Sequence, residues 1–129
     1  MYESFKHIER EFNIKHLSKK YEAETIEIFN GKNIDSEDPE INNIIGLYHK
    51  HITKDYDLMK KYYLMAIERG ESNSMNNLGH YYCDIEQNYD LMKKYYLMAI
   101  ERGDLTSASS LGYYYQLIEQ NYDLMKKYY

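Results

Sequence analysis

The sequence predicts an all-α chain, an α-solenoid of antiparallel helix pairs with a 33-residue period. Three observations carry this expectation. Tyr56 to Gly70 reads YDLMKKYYLMAIERG, and Tyr89 to Gly103 repeats the same fifteen letters. Ile85 to Tyr96 reads IEQNYDLMKKYY, and Ile118 to Tyr129 repeats it at the same offset of 33. The less similar stretches keep the register through Gly46, Gly79 and Gly112, through Tyr48, Tyr81 and Tyr114, and through Ile52, Ile85 and Ile118. A fixed period of this length marks stacked units, none of which can bury its apolar face alone.

Residues 1–39 stand outside the period and read as an N-terminal helical cap. Phe5, Ile8, Phe12, Ile14 and Leu17 suit one helix, Glu22 to Phe29 (EAETIEIF) suits a second, and Gly31 to Asp38 reads as a loop. Their expected role is to cover the open face of the first repeat, which solenoids need for solubility. A separate partner-binding arm is the rival reading.

Residues 40–129 hold the repeats, with units starting near Glu40, Asn73 and Thr106. The first helix of the first unit has a strong start signal in Asp38-Pro39-Glu40, Asp as cap and Pro in the first turn. Weaker polar starts, Glu71-Ser72-Asn73 and Asp104-Leu105-Thr106, serve the next two units. A glycine inside such a helix costs about 1 kcal/mol against alanine. The recurrence of Gly79 and Gly112 beside Leu78 and Leu111 therefore points to close approach by another helix.

The second helix of each unit is apolar around most of its circumference: Leu91, Met92, Tyr95, Tyr96, Met98, Ala99 and Ile100 in the second unit. Asp90, Lys93, Lys94 and Glu101 form its polar stripe. Such a helix expects cover on two sides. Gly70 and Gly103 fall where a helix end takes positive φ. The third unit stops at Tyr129, before any LMAIERG segment, which reads as a gene that continues or a truncated frame.

Composition narrows the function. At 129 residues, 43% hydrophobic and 29% charged, with one proline, the chain is globular and sized for one cooperative body. A net charge of −5 argues against nucleic acid and anionic lipid, which need clustered Lys and Arg. A single cysteine, Cys83, excludes an internal disulfide framework. The first residues are too polar for a signal peptide, and no apolar run approaches a membrane span. A cytoplasmic protein is expected. The 17 tyrosines, against three Phe and no Trp, fit a compositional bias as well as a contact surface.

The repeat resembles the Sel-one-like repeat (SLR), a relative of the tetratricopeptide repeat (TPR). The residues that carry the resemblance are Ser74, Leu78, Gly79 and Tyr82 on the first helix and Tyr95, Tyr96, Ala99, Ile100 and Gly103 on the second. Ser107, Leu111, Gly112 and Tyr115 repeat the first set. Two departures stand out: Cys83 to Asn88 replaces the family's glycine-containing interhelix loop, and Tyr95 replaces its tryptophan. The tandem units also look similar to repeat arrays of giant DNA viruses, which would place the protein in a host cytoplasm. The resemblance implies a right-handed superhelix whose first helices line the concave face.

Counted from the repeated glycine, that face would carry Asn43, Leu47, Lys50 and His51 in the first unit. Asn73, Asn76, His80, Cys83 and Asp84 would follow in the second, then Thr106, Ser109, Tyr113 and Gln116 in the third. Apart from asparagine at both 43 and 76, these positions differ between units while the second helices are letter-identical, so the expectation is a scaffold or adaptor that binds a protein or peptide in this groove.

Chemistry is not expected. The sequence has no Gly-rich phosphate loop, C-x-x-C, H-E-x-x-H or nucleophile in a recognisable setting, and no cofactor or metal is implied. His49 and His51 would face apart on a helix, while His80 and Cys83 would share a face yet make only two ligands. Of Tyr113, Tyr114 and Tyr115 at least one must be exposed, because neighbours on a helix turn by about 100°. A self-assembling repeat, joined into an oligomer through the C-terminal edge at Leu111, Met125 and Tyr128, is the main alternative. An RNA-binding helical repeat is a weaker one, since it needs a basic groove, and a cysteine-rich SLR enzyme is disfavoured by the lone thiol.

Overall fold

A computed structural model describes residues 1–14, 17–117 and 122–128. Among them the chain forms eight α-helices and no strand: α1 (Phe5–Phe12), α2 (Glu22–Phe29), α3 (Pro39–Tyr48), α4 (Tyr56–Glu68), α5 (Ser72–Asp84), α6 (Tyr89–Glu101), α7 (Leu105–Leu117) and α8 (Tyr122–Tyr128). They fall into two compact units, Met1–Glu71 and Ser72–Tyr129.

In the first unit, Ser4 caps α1 by accepting from the His7 amide, and Asn13, at φ 51°, ends the helix in the left-handed region. Phe5, Ile8 and Ile14 are buried. Phe12 packs against Phe29 at the end of α2 and against the His51 ring, with centroids 5.6 and 5.2 Å apart. The chain start is tied to the end of α2 by a reciprocal pair: Tyr2 N–H donates to Asn30 Oδ1 at 2.8 Å, and Asn30 Nδ2 donates back to the Tyr2 carbonyl at 2.7 Å. Residues 1–39 thus contribute helices that pack through α2 onto α3.

Helix α3 begins as its sequence predicts. Asp38 accepts from the Glu40 amide at 2.9 Å, with Pro39 in the first turn, whose missing N–H costs nothing there. The Tyr21 hydroxyl makes a short hydrogen bond to the other Asp38 oxygen and fixes the cap. At its far end α3 widens into a π-helical turn, His49–Thr53. Lys54, at φ 59°, then reverses the chain, and Asp55 caps α4 through the Leu58 amide.

The second unit repeats these devices 33 residues on: Gln87 takes φ 55° where Lys54 does, and Asn88 caps α6 through the Leu91 amide at 3.2 Å. Gly70 and Gly103 end α4 and α6 at φ 84° and 85°, which favours glycine over any residue with a Cβ. Within each unit the helix pair packs through the same contact. A Cβ added to Gly46 would lie 2.5 Å from the Tyr63 ring, and one added to Gly79 would lie 2.5 Å from the Tyr96 ring. The repeated glycine is therefore the groove into which a buried tyrosine lies. Ile118 and Tyr129, which the register places with Ile85 and Tyr96, are outside the described residues.

The core of the second unit holds Met92, Tyr96, Leu111, Tyr114 and Tyr115, with Leu124, Met125 and Tyr128 of α8 packed against it. Tyr95, Tyr96 and Met92 are buried as the apolar pattern of α6 predicts. Leu64 and Met65 on α4 and Leu97 on α6 stay exposed. No described helix is long and apolar enough to cross a membrane.

Candidate binding pocket

In the second unit the glycine at position 79 decides where Tyr96 ends. With no side chain in its way, the ring crosses α5 and carries its hydroxyl to His80, 2.7 Å from Nδ1. The two rings meet edge to face at 5.4 Å. Burial, then the nearby Cys83 and Asp84, push the Tyr96 phenol well above the ordinary tyrosine range, so it stays protonated.

Around this bond lies a cavity of about 480 Å³ lined by His80, Cys83 and Asp84 of α5, Tyr96 of α6, and Ser109, Ser110, Tyr113 and Tyr114 of α7. Asp84, Ser109 and Tyr113 are exposed, and the Tyr113 ring is 57% exposed despite its size. Burial first, then Asp84 by charge and by hydrogen bond, push the Cys83 thiol up to about 11. It is therefore a neutral, weakly nucleophilic wall of the cavity at pH 7.

Five residues expected on the concave face meet in this cavity: His80, Cys83, Asp84, Ser109 and Tyr113. The rest are placed differently. Asn76 is buried and accepts from the Ser107 hydroxyl at 2.8 Å, so its amide oxygen ties α5 to α7. Asn43 and Leu47 are buried in the first unit, and Lys50 and His51 are half-buried there. His51 packs on Phe12, and burial, then Lys50 and Lys54, push its imidazole down to about 4. Asn73 and Gln116 are half-buried and Thr106 is exposed, but none of the three lines the cavity.

Sequence reasoning missed Tyr96, Ser110 and Tyr114 as lining residues. Tyr96 has an apolar pattern and reads as core, which it also is. Its polar end was findable: a buried phenol needs a partner, and His80 is the polar neighbour of the glycine under its ring. Tyr114 belongs to a crowded aromatic side of α7, with the Lys93 ammonium over its ring at 5.1 Å and over Tyr115 at 5.5 Å. The three consecutive tyrosines divide as geometry requires, Tyr113 out and Tyr114 and Tyr115 in.

His49 and His51 do not converge either. His49 stacks on Tyr62 at 5.9 Å and hydrogen-bonds Thr53 through Nδ1 at 2.9 Å, whereas His51 faces Phe12. Among the described residues no three His, Cys, Asp or Glu side chains are grouped to hold a metal ion. No family model matches the chain, and no curated protein or solved structure matches it.

Proposed function

We propose that this chain is a protein–protein interaction scaffold of the Sel-one-like or TPR-like kind, whose helix pairs stack as a right-handed solenoid and hold a protein or peptide against their first helices. Support for the repeat comes from equivalent details 33 residues apart in both units: the glycine under a tyrosine ring, the positive-φ residue and the side-chain cap before the second helix. The observation that carries the function is the cavity on α5 and α7. Apart from Tyr96 and Tyr114, which recur in every repeat, it is built from positions that vary between repeats, it has exposed polar and aromatic edges, and its one thiol is held neutral. Those are properties of a recognition surface. A host cytoplasm and a giant-virus source belong to the same proposal.

The test is selection from a displayed library of random peptides against the whole protein, followed by counter-selection on the variants Tyr113→Ala and Ser109→Arg. Peptides that bind the parent and lose binding to both variants support the groove. A selection that enriches nothing, or only peptides indifferent to both changes, overturns it.

A self-assembling repeat is the second reading, and Leu105 and Leu117 favour it, at 81% and 51% exposed on α7. The residues first expected at an open edge support it less: Leu111 is buried, and Tyr128 stacks on Tyr115 at 6.0 Å. Light scattering across a concentration series separates the two, because a strict monomer removes self-assembly. An RNA-binding repeat has the least support, since a carboxylate and no lysine or arginine lines the cavity.

A further inference from the structure

The cavity is chemically one-sided. Its walls are mostly apolar and include the rings of Tyr96, Tyr113 and Tyr114, while the Asp84 carboxylate is the one acidic group among its described lining residues. Among the described residues no lysine or arginine lines it to neutralise that charge. The chain as a whole adds a net charge of −5, which draws cations toward it over a distance of about a Debye length. Its hydrogen-bonding groups are partly engaged with one another, the Tyr96 hydroxyl with His80 Nδ1.

A guest that fits must have an apolar stem for the aromatic walls and a cationic head for Asp84. A guest with a carboxylate or phosphate would face Asp84 and bury charge without a partner. A wholly aliphatic guest would fill the walls and cover the Asp84 carboxylate without pairing it. A basic side chain satisfies both demands, and arginine does so better than lysine. Its planar guanidinium forks onto a carboxylate and stacks on an aromatic face, and it is less strongly hydrated. The same unit already sets a cation over tyrosine rings, Lys93 over Tyr114 and Tyr115.

Resting on the reading of this cavity as a peptide site, we infer that it is an anchor pocket for an arginine side chain of a partner peptide, with Asp84 pairing the guanidinium and the exposed Tyr113 ring covering it. Asp84 sits at the last turn of α5 and Tyr113 in the middle of α7. The pocket therefore reads one side chain, and the flanking surface sets the register of the peptide backbone.

The experiment is an NMR titration of the whole protein with four peptides, acetyl-Ala-Xaa-Ala-amide, where Xaa is arginine, citrulline, leucine or glutamate. Citrulline matches arginine in shape and carries no charge. The expected result is saturable shifts at the amides of Ser109, Tyr113 and Asp84, with arginine favoured over the other three by about tenfold or more. Asp84→Asn, an exposed and nearly isosteric change, is expected to abolish the preference over citrulline. Ser109→Lys, which tethers a competing cation at the rim, is expected to weaken the arginine peptide selectively. Equal binding of citrulline, or a preference for leucine or glutamate at the same amides, overturns the arginine assignment and leaves the groove reading standing. Shifts with none of the four overturn the arginine assignment, and when the displayed library also enriches nothing, the groove reading falls with it.

Discussion

The Tyr96 hydroxyl and His80 Nδ1 are 2.7 Å apart, whereas the Tyr63 hydroxyl, at the equivalent place in the first unit, is buried with no hydrogen-bond partner among the described residues. The cause is a single difference between repeats. Position 47, which corresponds to His80, is leucine. Duplication kept the tyrosine for its ring, which fills the glycine groove in both units, and only one copy has a neighbour for its polar end. Burial accordingly drives the Tyr63 phenol far above the ordinary tyrosine range.

Removing the two hydroxyls must then have opposite effects. An unsatisfied buried hydroxyl costs about 1–3 kcal/mol, and a satisfied one contributes about 0.5–1.5 kcal/mol. Tyr63→Phe is expected to stabilise the protein by about 1 kcal/mol and Tyr96→Phe to destabilise it by about 1 kcal/mol. Urea denaturation of the two variants beside the parent measures both; a loss in each would mean that the Tyr63 hydroxyl has a partner in solution.

Gly46→Ala and Gly79→Ala test the groove itself. Alanine gains about 1 kcal/mol of helix propensity, but its Cβ would sit 2.5 Å from the ring of a buried tyrosine. Overpacking costs about 1–3 kcal/mol and prevails where the ring cannot shift. Gly79→Ala is expected to lower stability by about 1–2 kcal/mol. In the background of Tyr96→Leu, where the flat ring is gone, the same change should turn neutral or favourable. A double-mutant cycle reads the coupling directly.

The Asp38-Pro39 start, the positive-φ glycines and the buried tyrosines of α4 and α6 were legible, because each follows from a local rule. Pairings set by tertiary neighbours were not. The π-helical turn at His49–Thr53 occupies a stretch whose repeat register, through Ile52 and Ile85, promises equivalence, yet the corresponding residues of the second unit continue α5 as a regular helix to Asp84. Phe12 meeting His51 joins residues nearly forty apart, with no periodicity to announce it. The candidate pocket was half legible. Variation between repeats picked out His80, Cys83, Asp84, Ser109 and Tyr113, but it also picked out Asn43, Leu47 and Asn76, which are buried. Variation alone does not separate a position facing a partner from one facing a different neighbour within the fold.

His51 supplies an acid-sensitive element. Its imidazole is pushed from 6.5 to about 4, first by burial against Phe12 and its surroundings and then by Lys50 and Lys54. Because the folded value is the lower one, the unfolded chain binds the proton more readily. The stability from keeping the ring neutral is complete above pH 6.5 and declines as the pH falls from about 6.5 to about 4. His51→Gln should remove that part of the decline. Between pH 7 and pH 4 the melting temperature of the parent is expected to fall by a few degrees relative to that of the variant, whatever their difference at neutral pH, and parallel curves would refute the assignment.

Tyr21 and Asp38 make the complementary case at the start of α3. The hydrogen bond to Asp38, followed by burial and the charges of Asp38, Glu40 and Glu24, raises the Tyr21 phenol from 10.0 to about 12. The same bond, with the Glu40 and Ile41 amides, holds the Asp38 carboxyl below its usual 3.8. The phenol's contribution is thus present below pH 10 and is lost as the pH rises toward about 12, while that of the carboxylate is present above 3.8 and is lost as the pH falls through its folded value. Tyr21→Phe should therefore melt below the parent at neutral pH, and the gap should narrow at both extremes. Asp38→Asn separates cap from charge, since asparagine caps as well as aspartate, whereas Asp38→Ala loses both and should cost about 1 kcal/mol more. If Asp38→Asn and Asp38→Ala are equally destabilised, the charge on the tyrosine hydrogen bond, and not the cap, is what holds the start of α3.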